Sequence, residues 1–322
     1  MSFKDIKGQN SAIGFLKNSS VNGRTSHAYI FLGPSGVGRK LTALNFAKFL
    51  NCHAPDDNRP CDECPSCRKV DSRNHPDIFL VSPEKAGASI GIDKIRAVIK
   101  NVGLKPYEAR TKVYIIDDSS SMTQEAQNAF LKTLEEPPSD SVLIFISDKQ
   151  GGLLPTIESR SQVVKFFPID ADTVKEILKN NYKLDDAKAQ MLSRISAGSI
   201  DAALRYKDEK FFKKRSQVLD GITDGSLFDS DFEGLSKPDL RSYLDIMLTW
   251  YRDILVTKAD PTLKSLLVNA DRTRIIEEEA LRMDFAFLDK AIKQVILTGQ
   301  FLDQNINPKL AMSTLGACIC TK

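Results

Sequence analysis

The sequence predicts an α/β domain with a mostly parallel sheet, followed by a small helical unit and a larger all-helical region. Three observations carry this prediction. Strand-like and helix-like segments alternate through the first half of the chain. A glycine-rich loop, Gly33-Pro-Ser-Gly36-Val-Gly38, lies between the first of those strands and a helical segment. After Phe167-Pro168 the strand signal stops and the apolar spacing is helical to the C-terminus.

Four apolar runs read as strands, at residues 27–32, 77–81, 112–116 and 141–146, each ending in Gly, Ser or Asp. Between them residues 41–50, 93–102 and 123–134 carry apolar side chains at three- and four-residue spacing. Residues 173–178 and 185–195 form the small helical unit, which closes near Gly198. Beyond it Leu240, Leu244, Met247, Tyr251 and Ile254 share one helical face, and Leu281, Leu288, Ile292 and Val295 share another. The expected division is 1–167, 168–206 and 207–322, with no internal repeat.

Composition narrows the class. The 322 residues are 42% hydrophobic and 27% charged, with a formal net charge of +3, so cores are available and no polyanion partner is demanded. The opening residues lack a basic segment followed by an apolar run, and no stretch reaches the roughly 18 apolar residues of a membrane span. A cytoplasmic protein with reduced thiols is the expectation.

In the glycine loop, backbone N–H groups and a helix N-terminus can cradle phosphates. A hydrolysing loop of this type continues with Lys, for the β/γ-phosphates, and then Ser or Thr, for Mg²⁺. Here those positions are Arg39 and Lys40. A guanidinium is bulkier than an ammonium, and an ammonium has no lone pair for a metal. A shifted loop using Lys40 as the phosphate lysine would turn its side chain by about 100°. Occupancy of Gly33, Gly36, Gly38, Arg39 and Lys40 by nucleotide therefore stays open. The strand 112–116 runs into Asp117-Asp118, the form of a Mg²⁺-holding acidic segment. Asp118 stands where many ATPases have Glu, and its carboxylate would sit about 1.5 Å further back, where misplacement by about 1 Å can cost roughly 10²-fold.

Cys52, Cys61, Cys64 and Cys67 form C-x₈-C-x₂-C-x₂-C, four thiolates at spacings a tetrahedral ion can gather. A structural Zn²⁺ closed by four protein ligands is expected, with about 10–16 kcal/mol of binding free energy coupled to local folding. His53 and His75 flank the cluster without being needed as ligands, and Cys318 and Cys320 belong to a partly buried helix end.

The segment Asn128-Ala-Phe-Leu-Lys-Thr-Leu-Glu-Glu-Pro-Pro138 resembles the signature of bacterial clamp-loader subunits of the AAA+ superfamily, as do Phe3-Lys-Asp-Ile-Lys-Gly-Gln9 and Asn305-Ile-Asn-Pro-Lys-Leu-Ala311. The resemblance implies an AAA+ P-loop domain with a small zinc module at 52–67, a helical lid and a helical collar that oligomerises. It places Ser147 at the family's sensor position near the γ-phosphate. It also matches Ser159-Arg160 to the pair whose arginine reaches into the ATP site of the adjacent subunit, with Ser161 replacing the family's Cys. Gly198-Ser-Ile-Asp201 resembles the segment where hydrolysing subunits carry a second sensor arginine, and a carboxylate stands there instead. Arg96 matches a position where related subunits meet the DNA backbone, with a solvated helix arginine as the alternative. The basic run Lys207, Lys210, Lys213, Lys214 and Arg215 reads as a solvated face.

The expectation is a non-hydrolysing subunit of the family's delta-prime type, part of a DNA polymerase holoenzyme, lending Arg160 to a neighbour. Its partners would be gamma/tau-type ATPase subunits and a delta subunit in a hetero-oligomeric ring, with the sliding clamp and primed DNA reached through the assembly. Two alternatives stand beside it: an active gamma/tau-type ATPase, and an independent zinc-containing DNA-binding factor.

Overall fold

The computed structural model describes residues 2–55, 58–85, 87–229, 232, 235–304 and 306–320. Asn305, the first residue of the C-terminal motif, lies outside them. The chain separates into two compact units, Met1–Val174 with Ala197–Asp201, and Lys175–Ser196 with Ala202–Lys322.

The first unit contains α1 (Asn10–Val21), β1 (Ala28–Leu32), α2 (Arg39–Asn51), α3 (Pro65–Asp71), β2 (Ile78–Val81), α4 (Ile92–Val102), β3 (Lys112–Ile116), α5 (Gln124–Glu135), β4 (Ser141–Ser147), α6 (Pro155–Glu158) and β5 (Gln162–Lys165). The five strands form one parallel sheet in the order β2-β3-β4-β1-β5. Both faces are covered, so the central strands β1, β3 and β4 read as near-continuous apolar runs rather than alternating ones. On one face Tyr29 meets Phe46 of α2 edge-on at 5.5 Å. On the other, Phe130 of α5 meets Phe145 in the same way at 5.3 Å, within a core that includes Ile95, Val98 and Ile157.

The four predicted strands are present, and β5 is an addition. Its Gln-Val-Val-Lys buries only Val164, because it lies at the sheet edge and needs no long apolar run. The chain order puts the loop after β1 at the carboxyl ends of the strands, between β4 and β5, where open parallel sheets place their ligand sites.

The loop from α4 to β3 is held by two buried polar side chains. The Asp77 carboxylate accepts the N–H groups of Tyr107, Glu108 and Ala109 at 2.8–2.9 Å. The Asn51 carbonyl accepts those of Arg110 and Thr111 at 2.9 and 3.0 Å. Burial acts to raise the Asp77 pKa, but these amide bonds outweigh it and hold the group below its usual value.

In the second unit, α7 (Ala171–Tyr182) and α9 (Ile200–Arg205) enter from the first unit, joined by α8 (Asp186–Ile195), α10 (Glu209–Asp224), α11 (Lys237–Ala259), α12 (Thr273–Arg282), α13 (Phe285–Asp303) and α14 (Pro308–Cys320). The long α11 buries Leu240, Leu244, Met247, Tyr251 and Ile254, the face that the spacing predicts. Two expectations are corrected. Leu281 does not share a face with Leu288 and Val295, because the Asp284 side chain caps a new helix at the N–H of Phe287, leaving Leu281 on α12 and 88% exposed. Nor is Arg215 solvated: it is buried, binding Asn269 Oδ1 at 2.7 Å and the Asp271 carboxylate at 2.7 and 2.9 Å. Cys318 on α14 is half-buried.

The Asp77 anchor gives a direct test. Asp77→Ala leaves three N–H groups without their buried acceptor and lowers the urea stability of the chain by about 2–4 kcal/mol at pH 7. Because the folded pKa is depressed, this contribution is fully present above the ordinary carboxylate pKa and fades as pH falls through the folded value. The wild-type and variant curves therefore converge in acid, and an unchanged midpoint at pH 7 would contradict the anchoring role.

Candidate functional site: a self-paired phosphate loop, a thiolate cluster and an outward arginine

The phosphate loop folds as its sequence predicts. Gly33 follows β1, its N–H bonded to the Ser147 carbonyl at 3.2 Å, and Gly38 caps α2 with φ +96°. Gly33 passes so close to the Phe166 carbonyl that any side chain there would collide with it. At Gly36, with φ +74°, a Cβ would meet the Ser199 hydroxyl and lie 2.6 Å from the Asp201 amide nitrogen. Residues 199–201 therefore rest directly on the loop. The Ile200 N–H donates to the Gly36 carbonyl at 3.0 Å, and the Ser35 hydroxyl donates to the Asp201 carboxylate at 3.3 Å.

The two residues that depart from the hydrolysing pattern pair internally. Lys40 Nζ lies 2.8 Å from the Asp117 carboxylate, so an ammonium neutralises the acid that a Mg²⁺ site requires. Arg39 faces four carboxylates, Asp148, Asp117, Asp118 and Asp201; burial still pulls its pKa below the ordinary value. One of its terminal nitrogens is buried with no hydrogen-bond partner among the described residues. Asp118 holds φ +55°, and its carboxylate accepts from Ser120, whose hydroxyl also reaches Asp148. Ser147 is buried, with its hydroxyl donating to the Lys149 carbonyl at 2.9 Å. The structure thus brings Gly33, Gly36, Gly38, Arg39, Lys40, Asp117 and Asp118 into one place. With two cations against four carboxylates, and the chain's own backbone on Gly36, these residues do not fit a magnesium nucleotide.

Sequence reasoning missed three groups here. Ser199 and Ile200 belong to the Gly198–Asp201 segment, but their contact with the loop runs through backbone and a short side chain that the motif does not announce. Gln9 sits in a motif that was noted, without its role: its buried amide takes both the N–H and the carbonyl of Phe167, at 3.2 and 2.7 Å. Asp148 lies just beyond β4, one residue past the sensor position.

The four cysteines converge. Their Sγ atoms all lie within 4.8 Å of one another, compatible with a tetrahedral ion whose sulfurs stand about 3.8 Å apart at Zn–S distances near 2.3 Å. Backbone N–H groups of Ala54 and Cys61 point at Cys52 Sγ, that of Cys64 at Cys61 Sγ and that of Cys67 at Cys64 Sγ. Burial pushes the Cys52 and Cys67 thiols up. At Cys64 burial is overcome by the N–H groups of His53 and Cys67, which bring it down to about 6. The donor set fits a structural zinc ion, which Cys52, Cys61, Cys64 and Cys67 would hold with no open position. His75 is buried apart from this set, accepting the Asp77 N–H at Nδ1 and facing the Ser66 hydroxyl with Nε2. Lys48, 1% exposed, ties α2 to the module through Asp62 and Asp71.

Arg160 follows α6 on the surface of the same unit. Its side chain is 36% exposed, with Nη1 donating to the Thr156 carbonyl at 3.1 Å and Nη2 to Glu135 at 2.9 Å. The Ser161 hydroxyl is buried with no partner among the described residues, a place where the family's Cys would leave no strong donor stranded. Arg96, 67% exposed, has only a loose pairing with Asp93 at 3.6 Å, one helical turn away. Among the described residues no helix is long and apolar enough to cross a membrane.

Zinc is measurable on the purified protein. One equivalent per chain is expected, lost in Cys67→Ala and on acidification as the thiolates are protonated. Metal-free protein with four titratable thiols would remove the centre.

Residues 8–170 match the family described as DNA polymerase III, delta subunit, and residues 209–315 match its C-terminal region. DNA polymerase III subunit delta′ of Bacillus subtilis is 29% identical over 310 residues, covering 93% of this chain and 92% of that protein. The delta′ subunit of Pseudomonas aeruginosa is 33% identical over 210 residues, 63% of each chain. Subunit tau of B. subtilis is 29% identical over 303 residues, covering 84% of this chain and 53% of the relative. With a degraded phosphate loop on a parallel sheet, a four-cysteine module and matches running along nearly its whole length, the chain belongs to the delta-prime family of DNA polymerase III clamp-loader subunits.

Proposed function

We propose that this chain is the non-hydrolysing delta-prime-type subunit of its clamp loader: it binds its neighbours through the helical collar at 207–322 and lends Arg160 to the ATP site of an adjacent gamma/tau-type subunit. The observation that carries this reading is the 2.8 Å ion pair between Lys40 and Asp117, which commits the metal-binding acid of the chain's own loop to an internal cation. The Ile200–Gly36 bond and the carboxylate of Asp201 act in the same direction. In this reading the P-loop domain at 1–167 and the lid at 168–206 serve as a shaped body for assembly. A guanidinium brought against a transferring phosphoryl group stabilises its developing charge, an effect of roughly 10³–10⁵ in rate in GTPase examples. Partners would be gamma/tau and delta subunits, the clamp and primed DNA would be reached through the ring, and the compartment would be the cytoplasm. Zinc would hold the 52–67 module as a structural ion. Arg96, 67% exposed on α4, would face the DNA backbone.

The similarity to tau favours a second reading, an active ATPase working through a shifted loop. ATP turnover separates the two. The isolated chain has no magnesium-dependent turnover in the first reading, and in the assembled loader Arg160→Ala removes the DNA-stimulated turnover of the site it serves while KM for ATP changes little. Magnesium-dependent turnover by the isolated chain that disappears in Lys40→Ala establishes the second, and full turnover by the Arg160→Ala assembly rejects the lent arginine.

A further inference from the structure

The guanidinium of Arg160 is held on two sides by one rigid helix pair. Thr156, within α6, accepts from Nη1 at 3.1 Å, and Glu135, the last residue of α5, accepts from Nη2 at 2.9 Å. The two helices are fixed to each other by more than this pair. Two turns earlier on α5, the Gln127 amide accepts the Leu154 N–H at 2.8 Å and donates to the Met122 carbonyl at 3.2 Å. Ile157 of α6 is buried in the same core as Phe130 and Leu134 of α5. The end of α5 is also set by sequence: Pro137 disfavours helical backbone at Glu136, which leaves the helix at φ −121°, ψ 69°, so Glu135 stays on the last turn.

Arginine carries five N–H donors in a planar fork. The contacts to Thr156, Glu135 and, at 3.4 Å, the Ser159 hydroxyl leave the Nε proton and one Nη2 proton for an outside ligand. A long, half-exposed side chain on a surface turn would otherwise sample many rotamers, and ordering it at the moment of use costs side-chain entropy. The Glu135 bond is single rather than bidentate, so it aims the fork without consuming it. Exposed ion pairs add little to stability, and orientation is what this one supplies.

We propose that Glu135 is the positioning residue for Arg160, holding the guanidinium aimed outward for the triphosphate of the adjacent subunit. The proposal rests on the reading of Arg160 as a lent arginine. In this role Glu135 acts through Arg160 rather than on the nucleotide.

The test uses the full assembled loader with ATP, clamp and primed DNA, and four versions of this chain: Glu135→Ala, Glu135→Gln, Arg160→Ala and the double variant Glu135→Ala/Arg160→Ala. Glu135→Ala is expected to lose more than half of the Arg160-dependent kcat with KM for ATP unchanged. Glu135→Gln retains a carbonyl acceptor at the same reach and restores kcat to near the wild-type value. The double variant turns over at the rate of Arg160→Ala alone, because Glu135 has nothing left to position. Thermal midpoint and co-elution with the other loader subunits report that each variant is folded and assembled. Wild-type kcat in Glu135→Ala, or a double variant slower than Arg160→Ala, overturns the positioning role. Full turnover in Arg160→Ala is a different result: it removes the lent arginine itself, and the proposal falls with it.

Discussion

The ion pair between Lys40 and Asp117 decides what the phosphate loop can be. In a hydrolysing loop the residue at position 40 shares a magnesium ion with the acid at the end of β3, and the ion bridges protein to phosphate. An ammonium at 2.8 Å from that acid satisfies the carboxylate with a group that belongs to the chain. The loop therefore keeps its fold, because α2 and β3 remain tied together at the carboxyl end of the sheet, without needing a ligand to hold it. Once the loop is self-sufficient, residues 199–201 can settle on Gly36, which has no side chain to keep them away. A loop that cycled nucleotide would need that ground clear.

The same logic separates rigid from presented parts of the first unit. Polar groups that would be costly to strand are paired inside it: Asp77 and Asn51 collect five backbone N–H groups from one loop, and Lys48 joins α2 to the four-cysteine module. The thiolate cluster adds a constraint that apolar packing cannot supply to a short insert between α2 and β2. Arg160, in contrast, stands at the surface on the firm pair α5 and α6, oriented but not buried. The Gln127–Leu154 hydrogen bond and the burial of Ile157 beside Phe130 attach α6 to α5 at two points beneath it.

Much of this was legible before any coordinates. Lys40 and Asp201 stand out in the sequence because an ammonium offers no lone pair to a metal and a carboxylate is disfavoured beside phosphates, and the structure pairs them with Asp117 and Ser35. Four cysteines at their spacing predict a cluster, and their Sγ atoms do converge within 4.8 Å. The central strands were visible because both faces are buried. What escaped was carried by backbone or by distance along the chain. The contact of Ile200 with Gly36 joins residues far apart through an amide and a carbonyl that every sequence contains. Glu135 belongs to a motif, but its partner Arg160 lies 25 residues on, just past a separate helix. The edge strand β5 has one buried residue, and the mistaken face through Leu281 arose from reading spacing across Asp284, which starts a new helix. Arg215 looked like part of a basic surface because Asn269 and Asp271 are distant in sequence.

The claim on which the account turns is that the chain's own phosphate loop is closed by internal pairing. Equilibrium titration of the isolated, zinc-loaded chain with a fluorescent ATP analogue, with and without Mg²⁺, measures it directly. The account predicts no saturable binding up to millimolar nucleotide and no effect of the metal. Saturable, magnesium-dependent binding in the micromolar range would show that Lys40 and residues 199–201 yield the site, and would contradict it.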